Sequence, residues 1–359
     1  EVLDKADTVF FCKDWIRYKL TGNINGELTD ACTTMIDVKS ETVAEDLLKA
    51  VGLEDYISYV KETKTSDSIV GGVKGDVAAQ LGLKEGTPVI AGAVDVAATA
   101  VGTGVIHKNE VCVVLGTTCA NQIIYEKENC NFGAEGTRFE KHPIADQYIL
   151  LQPTMNGTPN IDWMLEHIAG TKDFNVIDKM VEAVSVGCGG VIYHPYISVA
   201  GERAPFLHPY ARANFFGLSQ PATKRTLVRA VYEGITMSIK DCLSGIGRGN
   251  RIFLAGGGAK SSVWAQMIAD ATGCAVYIAD GVEMGAKGIA MIAGVATGMY
   301  QDFEEAVEKA CRYKHIYEPN LNNTEKYDLL YELYKEIRIA MSPLWYKRHE
   351  ITKKLKEMN

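Results

Sequence analysis

Several classes of protein are excluded by what this sequence lacks. Its nine cysteines include no C-x-x-C pair and keep no regular spacing. Several of them (Cys112, Cys119, Cys274) lie in or beside apolar runs, so they read as reduced core residues rather than as a disulfide framework. No apolar stretch reaches the ~18 residues of a membrane span, and no signal peptide opens the chain. The net charge is −8. That balance argues against nucleic acid or an anionic membrane as the main partner, while leaving room for a local basic pocket. Low-complexity runs and short-period repeats are also missing. The expectation is a cytoplasmic globular protein. One more absence is notable: the chain opens at Glu1 without Met, in what reads as the middle of a fold.

What is present is ample material for a core. The chain has 359 residues, 47% hydrophobic and 23% charged, which suits two domains. Residues 251–274, RIFLAGGGAKSSVWAQMIADATGC, are the most informative block. Arg251 to Ala255 is short, mainly apolar and bounded by glycine, as a buried strand is. Gly256, Gly257 and Gly258 allow positive φ and close backbone approach to a ligand. From Ser262 onward Val263, Trp264, Met267, Ile268 and Ala271 recur at helical spacing, and Gly273 is the stop signal. Free N–H groups and the dipole at that helix start favour an anion, so the block reads as a phosphate site. An αβ turn with a serine cap and no ligand is the alternative.

Other blocks place chemistry-bearing residues at turns. Thr8 to Leu20 has a helical rhythm ending at Thr21-Gly22, and Asp30 is a plausible N-cap for 31–35. Helices are also expected over Val43–Val51 and Gly75–Leu81. Pro88 to Ala93 reads as a strand handing over at Asp95 to a small-residue helix, which puts Asp95 where open αβ sheets hold ligands. Val111–Leu115, Gly116-Thr117-Thr118 and Gln122–Tyr125 form a hairpin whose turn converges N–H and O–H donors. Asn156-Gly157-Thr158-Pro159 precedes a helix over Ile161–Ile168. Glu202 and Arg203 read as a structural ion pair fixing a loop, and Lys260 as a solvated lysine. Ala275–Ala279 is a strand and Met284–Ala296 a closely packing helix. Residues 302–359 look like solvated surface helices, with Pro319 and Pro343 as breakers.

Six blocks together resemble the FGGY carbohydrate kinases. They are KDWIRYKLTGNINGELTDACTTMIDV (13–38), GAVDVAATAVGTG (92–104), LGTT (115–118), GERAPFLHPYARANFFGLS (201–219), GGGAKSSVWAQMIADATG (256–273) and GAKGIAMIAG (285–294), in the family's order. The resemblance implies an α/β, ribonuclease-H-like (actin-like ATPase) fold with a cleft between two domains. Residues 1–107 would be the remainder of the N-terminal sugar-binding domain, 108–300 the nucleotide-binding domain, and 301–359 helices packing on both. It also implies transfer of the γ-phosphate of Mg-ATP to a hydroxyl of a small sugar or polyol, so ATP and Mg2+ are the expected cofactors. The homodimers common in such kinases set the expectation for assembly. Asp95 matches the family's catalytic base, which accepts the proton of a weakly nucleophilic hydroxyl. Thr117, between Gly116 and Thr118, matches a phosphate-binding turn. Gly257, Gly258 and Ala259 match the stretch that touches the α-phosphate and adenosine, Ser262 an adenine-contacting position, and Gly157 another nucleotide-facing loop. No metal-ligating residue is assigned.

Two departures qualify the match. The family's opening phosphate turn, its Mg-holding Asp and much of its sugar pocket have no counterpart here, so 359 residues standing alone are expected to show little activity. Val96 follows Asp95 where many xylulose and glycerol kinases have Asn or Gln, and it offers no side-chain hydrogen bond. An Asp-Val pair resembles the L-xylulose and polyol branches, making a pentulose the expected substrate. Against the kinase stand a catalytically silent nucleotide-binding module and a dinucleotide-dependent oxidoreductase. GGGAKS lacks the G-x-G-x-x-G spacing of the latter, and binding ATP alone needs no base.

Overall fold

The computed structural model describes residues 2–132, 138–245 and 248–358. Helix α1 (Cys12–Thr21) stops where Gly22 takes left-handed backbone at φ 81°. It begins four residues later than the periodicity suggests. The next elements are short: β1 (Gly26–Glu27), α2 (Leu28–Ala31), α3 (Glu45–Ala50), β2 (Thr63–Lys64), β3 (Ile69–Gly72), α4 (Gly75–Leu81) and β4 (Pro88–Ile90). Asp30 does not cap a helix over 31–35. It lies inside α2, whose cap is Glu27, the side chain accepting from the N–H groups of Thr29 and Asp30. A carboxylate preceding the first turn satisfies the same orphan donors that a capping Asp would.

Helix α5 (Asp95–Thr103) leads to the main sheet, made of β5 (Val111–Leu115), β6 (Cys119–Glu126), β7 (Phe139–Lys141) and β8 (Gln147–Thr154), followed by α6 (Pro159–Met164) and α7 (Phe174–Glu182). Strands β9 (Ile192–His194) and β10 (Asn214–Phe216) form a separate antiparallel pair before α8 (Lys224–Cys242). The chain then runs through β11 (Arg251–Gly256), α9 (Ser262–Thr272), β12 (Ala275–Ala279), α10 (Met284–Ala296), α11 (Phe303–Ala310), β13 (Tyr313–Tyr317) and α12 (Leu321–Glu357). The seven-stranded order is β13-β12-β11-β5-β6-β8-β7. Strands β5, β6 and β8 are an antiparallel meander, and β11 and β12 add in parallel on the other side of β5. This is the ribonuclease-H-like arrangement.

Helices cover both faces of the sheet. On one side α5 and α10 bury Ala97, Val101, Met291 and Ile292 against Cys112, Ile124 and Phe253. On the other, α6 to α9 and α12 bury Met164, Ile177, Val231, Trp264 and Tyr334 against Val113, Ile123 and Leu254. Strands covered on both faces read as continuous apolar runs, which is why VCVVL and RIFLA stand out.

The C-terminal segment differs from its expected surface helices. Residues 313–317 form an edge strand antiparallel to β12, and α12 buries Tyr327, Tyr334 and Trp345. Pro319 precedes α12, but Pro343 lies inside it. A proline there removes the N–H that would reach the carbonyl of Ile339. Ile339 is exposed, so water can satisfy the freed carbonyl. Six cysteines are buried, whereas Cys12 is exposed and Cys32 and Cys130 are half-buried; all nine are free thiols. Among the described residues no helix is long and apolar enough to cross a membrane.

Candidate active site

Three parallel strands, β5, β11 and β12, end side by side. Gly256 of β11 is in register with Leu115 of β5, so the turns that follow, 116–118 and 257–260, are neighbours. This is the carboxyl edge of the sheet, where αβ folds place ligands.

The three glycines of the β11 turn have different jobs. Only Gly256 uses positive φ, 89°, and a Cβ on it would lie 2.5 Å from the Leu115 carbonyl oxygen. Gly258 is buried, and its Cβ would sit 2.8 Å from the Leu115 Cβ and 3.1 Å from the Trp264 ring. Gly257 has neither constraint: its Cβ would meet nothing within 4 Å. The fold demands glycine at 256 and 258, and the bare backbone at 257 opens onto free space.

Ser261 caps α9, its hydroxyl accepting from the Trp264 N–H at 3.3 Å while donating to Asp178 at 3.0 Å. That helix start therefore already faces a carboxylate of the protein, and burial pushes the Asp178 carboxyl up. Ser262 is exposed as the first residue of α9, and Lys260 is exposed on the turn.

Gly157 sits directly behind the β5–β6 turn. Its N–H donates to the Thr117 carbonyl at 3.3 Å, and the Thr158 N–H to that of Gly116 at 2.8 Å. A Cβ at 157 would lie 2.1 Å from the Gly116 oxygen. Thr117 and Thr118 are exposed on the other side of this contact. Glu202 and Arg203 fix the same loop without pairing to each other. The buried Glu202 carboxylate accepts from the Met155 N–H (2.8 Å), the Asn156 amide and the Arg203 N–H (2.8 Å), while Arg203 Nε donates to the Pro153 carbonyl at 2.8 Å. Burial pushes the Glu202 carboxyl up against those bonds, which favour its charge.

Asp95 comes from a different element. It is the first residue of α5, exposed, and its Oδ1 accepts from the Val96 N–H at 2.7 Å. The strand before it pairs only with β3, antiparallel, so Asp95 follows a two-stranded ribbon rather than the main sheet. Its helix α5 packs on that sheet, and the start of α10, which follows β12, lies beside it: a Cβ on Gly285 would lie 4.0 Å from the Asp95 carbonyl oxygen. Asp95 lines a concavity of about 540 Å³ with Lys13, Asp30, Ala98, Gly285 and Ile289.

Lys13, for which sequence reading held no expectation, and Asp30, expected only as a helix cap, both lie in the KDW–GELTD block. Lys13 Nζ is 2.9 Å from Asp14, 3.2 Å from Glu27 and 3.1 Å from Asp30. Burial opposes its charge, but Glu27, with Asp14 and Asp30, outweighs that and holds the ammonium above its usual value. Glu140 on β7 is pushed up chiefly by burial, with the nearby charges of Asp95 and Asp30 adding to the shift.

The fold is that of the actin-like ATPase class. The sequence match is direct. The FGGY family of carbohydrate kinases, N-terminal domain, matches residues 1–102, and its C-terminal domain matches residues 111–297. An erythritol kinase of Brucella abortus is 30% identical over 367 residues, covering 97% of this chain and 70% of the relative. A xylulose kinase of Bacillus subtilis is 28% identical over 343 residues, covering 94% and 68%. The crystal structure of a gluconate kinase from Lactobacillus acidophilus superposes with a TM-score of 0.88 at 24% identity, over 97% of this chain and 70% of that one, which shows the shared fold. The chain belongs to the FGGY family of carbohydrate kinases, phosphotransferases that act on sugars with ATP.

Proposed function

We propose that this kinase phosphorylates a neutral keto-sugar or polyol, with a pentulose such as L-xylulose or xylulose preferred, and that Asp95 is its general base. The observation that carries the reading is Asp95, exposed at the start of α5, lining an open concavity beside the start of α10. A sugar hydroxyl attacks the γ-phosphorus of ATP as Asp95 accepts its proton. The bond from that phosphorus to the bridging oxygen breaks, giving a sugar phosphate and ADP. The Gly116-Thr117-Thr118 turn, backed by Gly157, stabilises charge on the γ-phosphate. Gly257, Gly258 and Ala259 hold the α-phosphate and adenosine, with Ser262 beside the adenine.

Mg2+ is proposed as ATP's companion. A Mg2+ of this kind is bound through phosphates, waters and one or two carboxylates. Bound there, it would offset phosphate charge.

Two features support a neutral substrate. Val96 offers no side-chain hydrogen bond beside Asp95, as in the polyol and L-xylulose branches. Lys13, the cation lining the concavity, is already shared among three carboxylates, so a substrate carboxylate would meet Asp30 and Asp95 with little to offset them. A coupled assay of ADP release across pentuloses, hexuloses, polyols and aldonates tests this. The expected order places a neutral pentulose or polyol at least tenfold above any aldonate in kcat/KM. An aldonate as best substrate overturns the reading.

A further inference from the structure

Two buried side chains that no catalytic role has claimed lie in series, and the second, Thr29, reaches the start of α5. Glu27 and Thr29 are 0% and 1% exposed. The Glu27 carboxylate is ringed by five donors: the Thr29 N–H at 2.8 Å, the Thr29 hydroxyl at 2.7 Å, the Asp30 N–H at 3.1 Å, the Ser66 hydroxyl at 2.9 Å and Lys13 Nζ at 3.2 Å. A carboxylate only accepts, so the single Thr29 hydroxyl proton is committed to Glu27. The oxygen's lone pairs then face elsewhere, and one receives the Val94 N–H at 2.8 Å, across 65 residues of sequence.

Val94 is the N-cap of α5 and has no side-chain cap of its own. Its carbonyl accepts the Ala98 N–H, so one side of this residue holds the helix and the other is held by Thr29. Asp95 is the next residue. We propose that Glu27 and Thr29 are positioning residues for Asp95: Glu27 fixes the hydroxyl's direction, and the hydroxyl fixes the peptide from which the base projects. The inference rests on Asp95 being the base. It adds that the base's placement is set by a relay in the first 30 residues, outside the sheet that carries the nucleotide turns.

Thr29→Val keeps the shape and removes both hydrogen bonds; Thr29→Ser keeps both. Misplacing a reacting group by an ångström is worth up to ~100-fold in rate. T29V is therefore expected to lower kcat at least tenfold while KM for ATP stays within about twofold, with T29S restoring kcat to within about threefold. Ser66→Ala removes a bond to the same carboxylate without touching Val94; it is expected to lower the melting temperature and keep kcat. Amide hydrogen exchange over 92–98 gives a readout independent of turnover, and it should speed up in T29V but not in S66A. Equal kcat and equal exchange in T29V and wild type overturn the relay, as does a T29S protein no better than T29V. Asp95→Asn separates the two readings: if it keeps full rate, the base assignment fails; if it is inactive while T29V is unimpaired, only the relay fails.

Discussion

Gly102 of α5 and Gly288 of α10 lie against each other so closely that neither has room for a Cβ. At 102 that atom would fall 1.9 Å from the Met284 carbonyl oxygen, and at 288 it would fall 1.8 Å from that of Ala98. The crossing of these helices couples the element that carries Asp95 to the one that follows β12. Small residues in VAATAVGTG and GAKGIAMIAGVA are what let the backbones approach.

Adding a methyl at this crossing forces the helices apart. Gly288→Ala is expected to lower stability by roughly 1 to 3 kcal/mol, as overpacking does, and to reduce kcat more than it raises KM for ATP. Denaturant unfolding and steady-state kinetics check both. An unchanged unfolding midpoint contradicts the close crossing.

The glycine turn after β11 separates ligand approach from fold. Gly257→Ala meets open space and needs no unusual backbone, so the midpoint should move little while KM for ATP rises about tenfold or more. Gly258→Ala collides with Leu115 and Trp264 and should destabilise the protein outright. If Gly257→Ala binds ATP as tightly as wild type, the nucleotide does not lie on this backbone.

Burial gives the protein an acid-sensitive element at His142. The side chain is 1% exposed and its Nδ1 accepts from the Ile144 N–H at 3.2 Å. Removal from water pushes the imidazole down from 6.5 to about 3. Between those values the unfolded chain takes up the proton and the folded chain does not, so stability rises with pH through the window and is lost as pH falls below 6.5. This one group should remove about 2 kcal/mol between pH 7 and pH 5. Unfolding free energies of wild type and His142→Gln across that range should diverge in slope by this amount, and parallel curves contradict it.

Local signals were legible where a motif and its reason sit within a few residues. The bounds of Gly75–Leu81, Val111–Leu115, Ala275–Ala279 and Met284–Ala296 follow from apolar period and flanking turns. The contact of Gly157 with the Gly116 turn was not expected, since nothing local announces that its Cβ would strike a carbonyl 41 residues earlier. Glu27 was overlooked as the cap of α2 because Asp30 fits the commoner pattern. The Thr29 bond to Val94 is a tertiary contact with no periodic signature. Pro343 inside α12 and the edge strand 313–317 were missed for one reason: packing overrides local preference.

Replacement of Asp95 by Asn, with turnover and ATP affinity measured on the same preparation, tests the central claim most directly. Asn keeps the size and loses the proton acceptor. The account predicts a fall in kcat of about 10²- to 10⁴-fold with ATP affinity changed by less than threefold. An Asp95→Asn protein turning over at the wild-type rate contradicts it.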